Sequence, residues 1–119
     1  MFFARTAQFP ERNDLMGKAT GIIEVYGLVA AFVACDAGCK AANVTVEPFD
    51  KNKPGNPDQL KVPLIVAVKF RGRVADVTAA VEAARGAAER VSGVVTTHII
   101  PSTEKGTEKM LKLSGLDKS

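Results

Sequence analysis

A chain of 119 residues, 46% hydrophobic and 24% charged, has the make-up of one globular domain with a single core. Its net charge of +3 is dispersed, with one Tyr and no Trp, which argues against nucleic-acid binding, since that wants a clustered basic patch and stacking aromatics. No apolar run approaches the roughly 20 residues that cross a bilayer, and the opening MFFARTAQF lacks the basic-then-apolar order of a secretory leader, so no membrane partner and a cytoplasmic location are expected.

Residues 1–18 read as an N-terminal extension. Phe2, Phe3 and Phe9 are apolar, but Pro10 and the polar run Glu11 to Asp14 interrupt any period. Thr20 to Tyr26 alternates as a strand, with Ile23 and Val25 on one face and Ile22, Glu24 and Tyr26 on the other. Gly27 then turns the chain into a helix, GLVAAFVACDAGCKAANV, which Asn43 ends as a residue suited to a C-terminal turn. Leu28, Ala31, Phe32, Cys35, Cys39 and Ala42 share one face of it. The opposite side offers Ala30, Ala34, Ala37, Gly38 and Ala41, with only Asp36 and Lys40 ionised. Side chains this small let backbones approach closely, so this second face is expected to meet protein too. The alternative is an alanine-rich helix at a monomer surface.

Cys35 and Cys39 stand one helical turn apart with near-parallel side chains, poor geometry for a disulfide. Two thiols and one distant His make no zinc set, so both cysteines read as small buried apolar residues, and no metal is expected.

Asn43 to Phe49 is a second strand, with Val44 and Val46 on one face and Pro48 marking an edge, a strand end or a bulge. Asp50 to Lys61 (DKNKPGNPDQLK) is the clearest loop, punctuated by Pro54, Gly55, Asn56 and Pro57. Val62 to Phe70 is an apolar strand fit for the centre of a sheet, ended by Gly72. Arg73 to Val91 is an alanine-rich helix with a core stripe of Val74, Val77, Val81, Ala84, Ala88 and Val91, stopped by Ser92 and Gly93. Val94 to Ile100 is the last strand, and Thr103 to Leu113 can form a short helix. The order β-α-β-β-α-β predicts an α+β, ferredoxin-like fold: one four-stranded antiparallel sheet with two helices on one face, plus a short C-terminal helix. The other sheet face is left for a neighbour or the terminal segment to cover.

Three separated stretches then carry a resemblance: GIIEVYGLVAAFVACDAGCKAANV at 21–44, IVAVKFRGRVADVTAAVEAA at 65–84 and HIIPSTEKGTEKMLK at 98–112. A G-x-I-E strand leads through Gly to a helix ending K-A-A-N-V, a strand ends in R-G before an alanine-rich helix, and the last strand closes with H-x-I-P. In these features the chain resembles single-domain, hexamer-forming shell proteins of bacterial microcompartments (BMC domain). The resemblance implies a single BMC domain at 19–115 with a polar tail at 116–119. It implies a flat homohexameric tile that joins other shell proteins into a sheet around enclosed enzymes in the cytoplasm, with no catalytic residue and no cofactor. It places Lys40 and the neighbouring Asn43 at the hexamer edge, where a Lys stem can lie across an apolar boundary while its ammonium reaches the next tile. An edge Arg late in the second helix is matched by Arg90, although counting back from His98 puts Glu89 at that position. His98 reads as structural or as part of a subunit contact.

In place of the family's short Gly-Ser-rich turn, this chain has the longer segment Lys51 to Lys61. Six copies round one axis would bring Lys53, Pro54, Gly55, Asn56, Pro57 and Asp58 close to a central pore for small polar metabolites. The long, proline-bearing loop resembles those of shell proteins from compartments built around glycyl-radical enzymes. Some of those are thought to hold an iron–sulfur cluster through a loop Cys. This loop has none, so this chain is expected to lack the cluster.

Two other classes are weighed beside the shell tile. A trimeric small-molecule-binding regulator shares the β-α-β-β-α-β order and would use the 51–61 loop to contact partners, but no Gly-rich phosphate motif supports it. An enzyme would need a nucleophile or an acid–base pair, and neither is present in the sequence pattern.

Overall fold

The computed structural model describes residues 18–59 and 64–114. The predicted extension at 1–17, the loop stretch 60–63 with the predicted strand start at Val62, and the tail from 115 lie outside the described residues.

Alternating strands and two periodic helices form the predicted order. The elements are β1 (Ala19–Tyr26), α1 (Leu28–Ala41), β2 (Thr45–Asn52), a single 3-10 turn at Pro57–Gln59, β3 (Ile65–Gly72), α2 (Val74–Glu89), β4 (Val94–Ile100) and α3 (Lys105–Leu111). The strands make one antiparallel sheet in the order β2-β3-β1-β4. Gly27 makes the turn from β1 into α1 possible. Its φ of 91° is one that L side chains rarely adopt, and its N–H donates to the Leu64 carbonyl at 2.8 Å, tying the turn to the entry of β3.

β2 runs further than its sequence suggests, to Asn52 instead of Phe49. The apparent stop at Pro48 is a bulge: the pairing with β3 shifts register between Glu47 and Asp50. Proline cannot donate to a ladder, so it sits where the edge strand skips a partner. α1 closes on Ala42 in extended conformation, so Asn43 follows the cap and does not form it. α2 ends through Gly93 at φ 130°, whose N–H and that of Ser92 both reach the Ala88 carbonyl.

The core lies between the helices and one sheet face. Ile23 and Val25 of β1 and Val66, Val68 and Phe70 of β3 are fully buried there, against Val77, Ala80 and Ala84 of α2. The predicted α2 stripe holds in its middle, while Val74 and Val91 at its ends are exposed. On α1 the predicted stripe holds only in part: Ala31 is buried, and so are Ala30, Ala34 and Gly38 from the small side. Leu28 and Phe32, from the face read as the apolar stripe, are exposed, Phe32 at 60%. Cys35, Cys39 and Ala42 from that stripe pack partly on the core. The reason is distance. An ideal Cβ on Gly38 would stand 2.6 Å from Phe70 Cε1 and 3.1 Å from the Ala80 carbonyl oxygen. Only a helix face of Ala and Gly fits between α2 and the Phe70 ring.

The second sheet face is partly covered by α3. It carries two buried cations, Lys69 and Arg71, side by side on β3. Lys69 Nζ donates to the carbonyls of Leu111 (2.8 Å) and Leu113 (3.0 Å). Arg71 forms a two-pronged pair with Glu108, Nη1 to Oε1 at 2.8 Å and Nη2 to Oε2, and also reaches Glu47 at 3.2 Å. Arg71 holds the Glu108 carboxyl below the usual carboxylate range by hydrogen bonding, against a partial desolvation that acts the other way. Burial pushes the Lys69 ammonium down, and the Asp50 and Glu47 carboxylates counter it. Thr20 and Thr103 share a buried 2.6 Å hydrogen bond, and the Glu104 side chain caps α3 by accepting from the Gly106 N–H at 2.7 Å.

Gly38→Ala tests the close approach. Helix propensity alone would favour Ala by about 1 kcal/mol. The clash with a fully buried ring and a backbone carbonyl outweighs this, and a net loss of about 1–3 kcal/mol in unfolding free energy is expected by denaturant titration. A gain in stability would overturn this account of the α1–α2 spacing.

Candidate functional site

The sheet register places the candidate residues at two ends of the subunit. At one end α1 finishes, β1 starts and β3 exits: the Asn43 carbonyl lies 3.2 Å from a Cβ built on Gly72. At the other end β1 finishes and β3 enters, since Tyr26 pairs with Ile65, and Ser92 Oγ donates to the Tyr26 carbonyl at 2.6 Å.

Lys40 and Asn43 stand together at the first end, both exposed. Lys40 lies in the last turn of α1, where the helix dipole favours a cation. Its Nζ is 2.8 Å from Asp36 Oδ2 one turn back. The hydrogen bond and charge of Asp36 hold the ammonium pKa above its ordinary value. An exposed pair of this kind has small net worth, so the side chain is free to exchange Asp36 for another acceptor. Arg90 is elsewhere. It caps the far end of α2, its N–H donating towards Ala87 and Ala88, a helix length of roughly 24 Å from the start of α2. Within one subunit the fold does not bring Arg90 beside Lys40 and Asn43.

The loop residues occupy the second end. Lys53, Gly55, Asn56 and Asp58 are exposed and Pro54 is half-buried, and Pro57 opens the 3-10 turn. Asn56 organises this tip: its carbonyl accepts from the Gln59 N–H at 3.0 Å and its Nδ2 donates to Gln59 Oε1 at 3.2 Å. At the root, Lys51 N–H donates to Asp50 Oδ1 and Lys53 N–H to Asn52 Oδ1, both at 2.9 Å. Beside that root lies a shallow polar cleft of about 310 Å³, lined by Glu24, Asp50, Lys51, Asn52 and Ala67.

Between the two ends runs a surface that the sequence reading missed. Leu28, Val29, Phe32 and Val33 are all exposed, Val29 at 68%, and the Phe32 ring leans on Phe49 with centroids 5.2 Å apart. These four side chains are apolar surface that the subunit itself leaves uncovered. The signal was available: four large apolar residues in two i, i+4 pairs at the start of α1, beside a face of alanines.

Among the described residues the cysteines stand apart from the one histidine. Both cysteines are half-buried and unbridged. Burial pushes the Cys35 thiol up to about 11, with Cys39 and Asp36 acting in the same sense, so it is protonated and unreactive at neutral pH. His98 is exposed on the second sheet face, opposite Ile22. Among the described residues no group of three or more His, Cys, Asp or Glu could hold a metal ion, and no helix is long and apolar enough to cross a membrane.

With this geometry in place, residues 19–103 match the model of the BMC domain. The chain belongs to the BMC-domain family. It is 37% identical over 94 residues to the bacterial microcompartment shell protein PduA of Citrobacter freundii, covering 79% of this chain and 91% of that one. It is 37% identical over 100 residues to the carboxysome shell protein CcmK2 of a Synechocystis species, covering 82% and 88%. It is 39% identical over 100 residues to the carboxysome shell protein CsoS1 of Prochlorococcus marinus, covering 83% and 88%. Its fold is that of a microcompartments protein from Desulfitobacterium hafniense DCB, with a TM-score of 0.63 at 23% identity over 81% of this chain. The chain spans about half of that protein, 47% of its length. The three curated relatives are shell proteins by name.

The thiols of this BMC domain give a direct check. At pH 8 the native protein should react with iodoacetamide at Cys35 at least about 100-fold more slowly than a free thiol, because its thiolate fraction is that much smaller. Labelling of Cys35 at the rate seen in denaturant would contradict its protonated, packed state.

Proposed function

We propose that this BMC-domain protein is a structural shell tile of a bacterial microcompartment, assembling as a homohexamer in the cytoplasm, with other shell proteins as neighbours and enzymes enclosed behind them. The observation that carries this reading is the separation of surfaces within one subunit. Lys40 and Asn43 occupy one end, the 53–59 segment the other, and an apolar flank of Leu28, Val29 and Phe32 runs between. A ring of such subunits has an obvious orientation. The flank meets the next copy, the Lys40 end faces outward to the next ring, and the loop end converges on the axis.

The energetics agree with that division. Full burial of a Phe or Leu side chain contributes roughly 1.5–3 kcal/mol, so the flank supplies the strength of the ring. The exposed Lys40 supplies direction and register between rings and little affinity. Six loop tips would surround the pore with Lys53, Asn56 and Asp58, with Lys51 and Asp50 at the root. Mixed charge and polar amide groups of this kind favour small polar metabolites over apolar ones.

Two substitutions separate the surfaces. Lys40→Asp should leave the native mass of a hexamer intact and abolish extended sheets in negative-stain electron microscopy. Phe32→Asp should keep the far-UV circular dichroism of the wild type and lower the native mass below six copies. A wild-type mass of three copies would sink the hexamer, and normal sheets from Lys40→Asp would sink the edge assignment.

A further inference from the structure

The C-terminal segment is attached to the sheet in an unusual way. α3 buries one apolar side chain, Leu111, while Met110 and Leu113 are exposed at 63% and 50%. A helix of seven residues has little stability of its own. What fastens it is polar. Lys69 binds the Leu111 and Leu113 carbonyls, and Arg71 grips Glu108. Lys112 stands 3.5 Å from Glu47, Thr103 bonds Thr20, the Thr103 N–H donates to the Lys18 carbonyl at 2.9 Å, and Ser114 Oγ donates to the Phe49 carbonyl at 2.6 Å. The Lys69, Arg71, Glu47 and Thr20 contacts join residues 103–114 to the second sheet face, and the other two reach the backbone of Lys18 before β1 and of Phe49 on the edge strand. The hydrophobic core lies on the opposite face and would be untouched by their loss.

We propose that residues 103–114 form a strap that opens as a unit on an intact sheet, latched by the Arg71–Glu108 pair, and that opening it uncovers Lys69 and Arg71 as adjacent cations on the tile surface. The argument is one of cooperativity. Hydrogen bonds and ion pairs to shared donors are made or lost together, because a carbonyl that leaves Lys69 takes the rest of α3 with it. The bidentate Arg71–Glu108 contact is the strongest of the set, charge-assisted and two-pronged. Arg71 keeps Glu47 as a partner when Glu108 leaves, which lowers the cost of opening. Both carbonyls that Lys69 Nζ binds belong to the strap, so its amine is the sensitive reporter of the open state. The inference does not depend on the shell-tile reading. It concerns a single subunit and is tested on one.

The experiment is hydrogen–deuterium exchange on the full chain, with amine labelling in parallel. In the wild type, the amides of 108–113 should exchange at least about 100-fold faster than those of β1 and β3, as expected of a sub-global opening. Glu108→Gln should speed exchange of that segment by a further tenfold or so, with β1 and β3 unchanged, and should raise acetylation of Lys69 in step. Glu108→Lys, which sets two cations together, should do the same more strongly. If the charge reversal prevents folding, the Gln variant alone decides. Exchange of 108–113 at the rate of β3, or equal acceleration of 108–113 and β3 by Glu108→Gln, would overturn the proposal: the segment would then be part of the global folding unit.

Discussion

The packing of Gly38 against Phe70 sets the terms for the rest of the molecule. The ring is fully buried at the centre of the sheet and rises into the space where α1 and α2 meet. With no Cβ at Gly38, α1 can settle onto that ring and onto the Ala80 carbonyl. With alanines at 30, 31 and 34, the helix stays close along its length. Core density is reached here by bringing backbones together and not by interleaving large side chains. The consequence appears on the outside of the helix. Because the inward side is spent on small residues, the large apolar residues Leu28, Val29 and Phe32 are directed outward, and the subunit carries apolar surface that its own fold cannot cover. A unit built this way is complete as a core and incomplete as a surface, which is the condition for a part made to be repeated.

β3 shows the same division across its two faces. Val66, Val68 and Phe70 point into the helical core, while Lys69 and Arg71 point into a polar layer under α3. Two buried cations are costly in a medium of low polarizability, and the cost is met with carboxylates and backbone carbonyls at good geometry. Replacing the pair with aliphatic residues could give equal stability. What the charged layer adds is definition: α3 has one docking register, set by Arg71 and Glu108, where an apolar contact through Leu111 alone would allow several.

Much of this was legible in the sequence. The element order, the central place of β3, the role of Gly27 and the edge character of β2 at Pro48 follow from periodicity and from the limits of Gly and Pro. The orientation of α1 was not legible. Its apolar residues occupy more than half of the helix circumference, so the pattern contains no single stripe. The usual assumption that the largest residues face the core then turns Leu28 and Phe32 inward, where the structure exposes them. Only the position of the Phe70 ring decides it, and that is a tertiary fact. The polar layer was hidden for a related reason. Nothing local to Lys69, Arg71 or Glu108 shows that this strand face and this helix face meet. The placement of Arg90 shows the same limit. Proximity in sequence to the end of α2 located the residue, but the direction in which α2 runs put it at the other end of the subunit from Lys40.

That direction also keeps the two ends of the subunit independent of each other. Each helix starts where its preceding strand ends, and the two strands that feed them are antiparallel, so α1 and α2 run in opposite senses. The start of α1, the end of α2 and the 53–59 segment therefore gather at one end, and the end of α1 gathers with the start of α2 at the other. Lengthening the loop between β2 and β3 changes only the first end. The polar residues of Lys53 to Gln59 satisfy much of their own hydrogen bonding within the turn, so the insertion asks nothing of the core. Lys40 and Asn43, a strand length away, keep the same backbone beneath them whatever the loop does. Freedom at one end and constraint at the other is a property of the topology.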